Sequence, residues 1–125
     1  MVKENLLYTE THEWVEVIGG EAVMGITDHA QHELGDIVYV ELPEIGDNII
    51  KGEGFGSVEA VKAVEDILSP ISGEVIAINE DLENTPEMIN TDAFGDGWIM
   101  KVKIANMDEL EDLMNAEQYK KLIEG

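Results

Sequence analysis

The feature that most limits what this chain can fold into is a recurrence of short β-forming runs, each closed by a turn signal. Trp14-Val15-Glu16-Val17-Ile18 alternates and is rich in β formers; Gly19-Gly20 follows, and residues 22–27 resume the pattern. Two such runs around a Gly-Gly pair read as a hairpin. Residues 37–42 form a third run, stopped by Pro43, which has no N–H to give to a ladder. Residues 55–61 and 64–68 flank Lys62-Ala63, Ser69-Pro70 breaks the run, and residues 74–78 and 98–104 supply the last two strands. Helical signals are fewer. Asp28 reads as the cap of a helix ending at Leu34 and closed by Gly35, and residues 86–89 read as a short turn of helix. From Asp108 onward the spacing turns helical, with Leu110, Leu113 and Met114 on one face and Tyr119, Leu122 and Ile123 on another. The pattern therefore predicts a mostly β sandwich or barrel with short helices and a C-terminal helical tail. In it, residues 55–68 and 74–78 would occupy opposing halves. Residues 1–125 read as one domain, with a β body over about 8–104 and a helical tail over about 106–124.

A chain of 125 residues can bury roughly two-thirds of its unfolded surface, enough for a core without disulfides or a structural metal. There is no cysteine, hence no thiolate nucleophile and no disulfide framework. Seven Lys+Arg against 28 Asp+Glu give a net charge of −21. Such a surface repels nucleic acid and anionic lipid, keeps the protein dispersed, and favours partners with basic docking surfaces. No apolar run approaches the ~20 residues of a membrane span. The opening Met-Val-Lys-Glu-Asn-Leu-Leu-Tyr has neither a signal-peptide core nor the Arg-rich, acid-poor character of a transit peptide, so a cytoplasmic monomer is expected.

Chemistry concentrates in residues 54–66, Gly-Phe-Gly-Ser-Val-Glu-Ala-Val-Lys-Ala-Val-Glu-Asp. Two β-like runs meet at Lys62, which would stand on the tip of a hairpin, outside any core. A primary amine on a four-carbon stem can be acylated by a carboxylic acid cofactor, losing its charge and gaining a swinging arm. Glu59, Glu65 and Asp66 surround it and could be read by a ligase. Taken alone, a lysine in a turn is usually a solvated lysine. Its context changes that balance, since Gly52 and Gly73 lie at similar distances on either side and fit a hairpin held between two bends.

The stretch resembles the lipoyl-attachment region of glycine cleavage H proteins, whose usual form is Glu-Ser-Val-Lys-Ala. Other matching segments follow in order: Tyr8-Thr9-Glu10-Thr11-His12-Glu13-Trp14-Val15, Gly25-Ile26-Thr27-Asp28-His29-Ala30-Gln31, residues 34–43, residues 69–79, Pro86-Glu87-Met88-Ile89-Asn90 and Gly95-Asp96-Gly97-Trp98. The resemblance implies a lipoyl/biotinyl-type β-sandwich, a barrel-sandwich hybrid, with lipoic acid in amide linkage to Lys62. It implies a carrier rather than an enzyme. The arm would take the aminomethyl group of glycine from a pyridoxal-phosphate-dependent glycine decarboxylase and deliver it to a tetrahydrofolate-dependent aminomethyltransferase. It would then be reoxidised by a dihydrolipoyl dehydrogenase using FAD and NAD. A lipoate ligase or lipoyl transferase would attach the group, with Glu59 and Glu65 as recognition acids. The family's loaded arm folds back into a cleft, and by resemblance Glu13 and Asp66 would contact its amine, with Thr11 and Ile26 lining the cleft. The alternative for both acids is an ordinary place on the surface.

The chain departs from the family pattern in three places. Ala60 stands where Ser is usual, Ala93-Phe94 replaces a common Pro-Tyr, and Glu33 rather than His precedes Leu34-Gly35, with His32 one place earlier. Two other carrier classes stand beside this reading. A biotin carrier sets its lysine between methionines, whereas Lys62 lies between Val61 and Ala63. A lipoyl relay protein would have the same attachment site. His12, His29 and His32 lack the spacing of a metal set, so no metal is expected. Trp14 and Trp98 read as core anchors. Gly54-x-Gly56 precedes no helix and is not a dinucleotide fingerprint.

Overall fold

The computed structural model describes residues 2–125. Its β body is two antiparallel sheets. The larger has the strand order β1-β2-β3-β9-β8-β5, where β1 is Leu7–Tyr8, β2 Glu13–Ile18, β3 Glu21–Ile26, β5 Asn48–Ile49, β8 Gly73–Ile78 and β9 Met100–Ile104. The smaller is β4-β6-β7, built from Ile37–Glu41, Gly54–Ala60 and Val64–Leu68. The Gly19-Gly20 hairpin forms, with Ile18 opposite Glu21 and Gly19 at φ +64°. A positive φ at the first loop position is what a two-residue II′ turn needs. Residues 55–68 and 74–78 do fall in opposing sheets.

The two sheets enclose one apolar cluster in which Val15, Met24, Val58, Ile67, Val75 and Val102 are almost wholly buried. A second cluster lies around β1, β2 and α3 (Ala116–Glu124), joining Leu6, Tyr8, Trp14, Ala116 and Tyr119. The helix explains why Glu13, Trp14 and Val15 are all buried in succession, where alternation alone would expose every second residue. Trp14 is buried opposite Gly25, and its indole N–H donates to the Ala93 carbonyl at 3.0 Å. A Cβ at Gly25 would lie 2.8–3.0 Å from three indole atoms, so only glycine admits the ring.

Several local expectations are corrected. Helix α1 does run Asp28–Leu34 and closes on Gly35, but its cap is Thr27, whose hydroxyl accepts from the Ala30 N–H. Helix α2 is Met88–Thr91, preceded by single turns at Thr85 and Pro86, rather than residues 86–89. Strand β9 starts at Met100, because the Trp98 carbonyl is taken by the Asn79 side chain. Trp98 itself is only half-buried, packed against the second cluster. Gly73 is a strand residue whose missing Cβ lets the Lys103 carbonyl approach, not a bend.

The tail is not one helix. A 3-10 turn over Met107–Asp112 ends in an extended stretch where Met114 exchanges both backbone hydrogen bonds with Tyr8 at 2.8 Å. Met114 therefore leaves the face assigned to it and packs against the second cluster, while Leu110 and Leu113 both pack against the first. In α3 the buried face is Ala116 and Tyr119 with Ile123 alongside, while Leu122 is exposed. Asn115 and Gln118 close a reciprocal capping box at its start. No helix among the described residues is long and apolar enough to cross a membrane.

Candidate functional site

The hairpin of β6 and β7 carries Lys62 at its tip. The Ala60 N–H donates to the Ala63 carbonyl at 2.7 Å, leaving Val61 and Lys62 as the loop. Both are exposed, and neither has a positive φ. The tip rests on the α1–β4 connection, since the Val61 N–H donates to the Asp36 carbonyl at 3.1 Å. The Lys62 stem lies over Gly35, where an added Cβ would sit 3.4 Å from Cε and 3.8 Å from Nζ. Gly35 has φ +82°, which favours glycine independently of the lysine. Asn90 of α2 fixes this ledge. Its carbonyl oxygen accepts from the Ile37 N–H, and its amide donates to the Gly35 carbonyl and to Gln31. Asn90 was visible in the sequence only as part of a matching segment; no local signal gave its role.

Beside the tip a cleft of about 650 Å³ opens between β7 and the walls formed by α1 and residues 10–13. Thr11, Glu13, Ile26, Glu65 and Asp66 all line it, so the structure gathers residues far apart in the chain. Glu59 lies outside it, exposed on β6 opposite Tyr39 and Val64. Asp66 and Glu65 are exposed on the cleft rim. Glu13 is not an ordinary surface acid: it is 3% exposed. Its carboxylate accepts from the Thr9 hydroxyl at 2.7 Å and from the Thr11 hydroxyl. Burial pushes its pKa above the ordinary value, while hydrogen bonds from Thr11, Thr9 and the Leu68 backbone N–H pull against that shift. A buried carboxylate facing a cleft, held in place yet short of a counter-charge, is suited to receive a cationic amine.

Residues not foreseen as part of the site line it or stand behind it. His12 is the single non-glycine residue with a positive φ, +71°, among the described residues. Its Nδ1 lies 2.8 Å from the Tyr119 hydroxyl, and its ring is 4.8 Å from that of His29. Burial and His29 push the His12 pKa below its usual value, with Glu33 opposing. Tyr119 is pushed up to about 12 by burial, with Tyr8 and Glu13 adding to the shift and the Thr27 hydrogen bond opposing it. His32 is exposed on α1. Among the described residues no three His, Cys, Asp or Glu side chains are placed to hold a metal ion.

The family model described as glycine cleavage H-protein matches residues 6–125. The chain belongs to the glycine cleavage H-protein family. It is similar to the glycine cleavage system H protein of Halothermothrix orenii, 50% identical over 123 residues covering 98% of this chain and 96% of that one. It is 54% identical over 121 residues to that of a Synechococcus strain, covering 97% and 94%. It is 47% identical to a mitochondrial H protein of Arabidopsis thaliana, covering 99% of this chain and 80% of that one. The crystal structure of a glycine cleavage system H protein from Mycobacterium marinum superposes with a TM-score of 0.91 at 33% identity, covering 99% and 100%. The lipoyl-type sandwich expected from the resemblance is thus the fold of this chain. As a member of that family, the chain is a carrier subunit and not itself an enzyme.

Proposed function

We propose that Lys62 carries lipoic acid as an amide and that this chain is the lipoyl carrier of a glycine cleavage system. The observation that carries the reading is an exposed amine on a hairpin tip, next to a cleft that ends on a buried carboxylate. Among the described residues Lys62 has no ion pair or hydrogen bond holding its amine, so a ligase can reach it. The cleft volume falls in the range of small-ligand sites. When bound, the lipoyl group supplies a strained cyclic disulfide whose sulfur accepts an aminomethyl group and whose dithiol form is later reoxidised.

The chain's own residues then supply place and polarity. Glu13, fixed by Thr9 and Thr11, receives the arm's amine, and Asp66 on the opposite rim adds a second carboxylate. Ile26 and the apolar stems of the walls exclude water from the amine. The partners are a pyridoxal-phosphate glycine decarboxylase, a tetrahydrofolate aminomethyltransferase and a FAD-containing dihydrolipoyl dehydrogenase. A lipoate ligase or lipoyl transferase reads Glu59 and Glu65 beside the tip. The chain acts as one unit over residues 1–125, as a monomer in the cytoplasm.

The test is intact and tryptic-peptide mass spectrometry after incubation with lipoate, ATP and a lipoate ligase. A single lipoyl adduct on Lys62, absent from Lys62→Ala, is expected. No adduct, or one on another lysine, overturns the reading.

A further inference from the structure

Behind the cleft three elements meet at one hydroxyl. Tyr119 of α3 is fully buried, its ring stacked on Tyr8 with centroids 4.5 Å apart. Its hydroxyl lies 2.8 Å from His12 Nδ1 and 2.8 Å from Thr27 Oγ1. His12 belongs to the turn that holds Glu13, and Thr27 caps α1. The turn and α1 are both cleft walls, the turn contributing Thr11, His12 and Glu13 and the helix Ala30, Glu33 and Leu34. The two walls are also joined directly, by the Thr27 N–H donating to the His12 carbonyl at 3.0 Å.

The polarity of this chain of bonds follows from counting hydrogens. Thr27 Oγ1 already accepts from the Ala30 N–H at 3.1 Å. Its own hydrogen finds an acceptor in the Tyr119 oxygen, and Tyr119 then donates to His12 Nδ1. That order needs a neutral imidazole with a bare Nδ1. The reverse order leaves the Thr27 hydrogen without an acceptor at a residue with no solvent exposure, a costly arrangement. Protonating His12 turns it into a donor to Tyr119, which either forces the reverse order or leaves the Tyr119 hydrogen without an acceptor. The groups facing the ring are His29 and Glu33 on α1 and Tyr119 on α3. His29 opposes a charge there and Glu33 favours one.

We propose that Tyr119 is a positioning residue of the arm cleft: its hydroxyl, through Thr27 and a neutral His12, holds the two walls at the separation at which Glu13 meets the arm's amine. This rests on the reading of Glu13 as the amine's partner. It gives the C-terminal helix a part in holding the arm, although the helix lines none of the cleft. It also makes the hold pH-sensitive, firm while His12 is neutral and loosened once the ring is charged.

Two measurements test it. The first uses the lipoylated protein with its arm loaded and the partner enzymes removed. Water then cleaves the S–CH₂–NH₂ group to a thiol, formaldehyde and ammonia, and ammonia release is timed. Tyr119→Phe keeps the stacked ring and removes only the hydroxyl. Its release at neutral pH should be about fivefold faster, the share of one neutral hydrogen bond. Wild-type release should rise toward that rate as pH falls through the His12 titration, while Tyr119→Phe stays flat. The second follows the His12 ring by nitrogen-15 NMR in the unlipoylated protein. Nδ1 should be the bare, accepting nitrogen in the wild type, and the titration should move to higher pH in Tyr119→Phe.

His12→Gly cuts the same link from the other side. Glycine tolerates the left-handed backbone and has no side chain to meet the Tyr119 hydroxyl, so its release should match that of Tyr119→Phe. It carries the test if Tyr119→Phe fails to fold. Wild-type release and an unmoved His12 titration in Tyr119→Phe overturn the positioning role. Glu13→Gln separates the two failures. Unchanged release there overturns the reading of Glu13 itself. Faster release there, with wild-type behaviour in Tyr119→Phe, overturns only the role of Tyr119.

Discussion

Gly25→Ala is a one-carbon change whose cost can be worked from the packing. The new Cβ would stand 2.8 Å from Trp14 Nε1, 2.9 Å from Cε2 and 3.0 Å from Cζ2. The indole is 1% exposed and cannot swing outward. It is also tied through Nε1 to the Ala93 carbonyl, so retreating from the new methyl breaks a buried hydrogen bond. Overpacking of this kind costs about 2 kcal/mol. The lost indole bond adds about 1 kcal/mol. Restricting the unfolded chain returns about 0.5 kcal/mol. The net loss is about 2.5 kcal/mol, and a domain of this size loses about 4 °C of Tm per kcal/mol, so Tm should fall by about 10 °C. Thermal unfolding followed by circular dichroism measures it. The Trp14→Phe background is the control, because the smaller ring leaves room and the added cost of Gly25→Ala should nearly vanish. A Tm within about 2 °C of wild type, or an equal cost in both backgrounds, refutes the packing argument.

Four further outcomes are expected. Glu13 has a folded pKa raised by burial, so its contribution to stability is present below its unfolded pKa and is lost as pH rises through the folded one. Glu13→Gln should lack that decline, and parallel urea melts across the weakly acidic range would show the two curves diverging; curves that stay parallel would count against a raised value. Glu109 accepts from both the backbone N–H and the hydroxyl of Ser72, so Glu109→Ala should cost about 1–2 kcal/mol. Asp112 is 72% exposed in its pair with Lys51, and Asp112→Ala should change stability by less than about 0.5 kcal/mol in the same melts; the opposite ranking would contradict the assignment. Finally, a net charge of −21 makes encounters with basic partner surfaces salt-sensitive, and stopped-flow association rates should fall as salt is added.

Much of the β body was legible because strand formation leaves a local trace. The Gly19-Gly20 turn, the runs on either side of Lys62 and the stop at Pro43 each follow from side-chain alternation and turn chemistry within a few residues. The tip position of Lys62 followed in the same way. The cap of α1 was also there to be read, since Thr27 is as good an N-cap type as Asp28 and stands one place before it. The tail misled because Leu110, Leu113 and Met114 keep a helical spacing. A bridge to Tyr8, more than a hundred residues earlier in the chain, gives Met114 two strand hydrogen bonds instead.

The sequence by itself determined the class of fold, the strand-and-turn order and the lysine that stands clear of the core, because each depends on near neighbours. Only the tertiary structure decided that Glu13 is buried while Asp66 stays exposed, although both are acids on short strands. It also brought Thr27, His12 and Tyr119 to a single hydroxyl. Burial and hydrogen-bond partnership depend on which remote surfaces close over a residue, and here α3 lies on the outer face of β2. No local pattern records that contact, because it is made by residues at the other end of the chain.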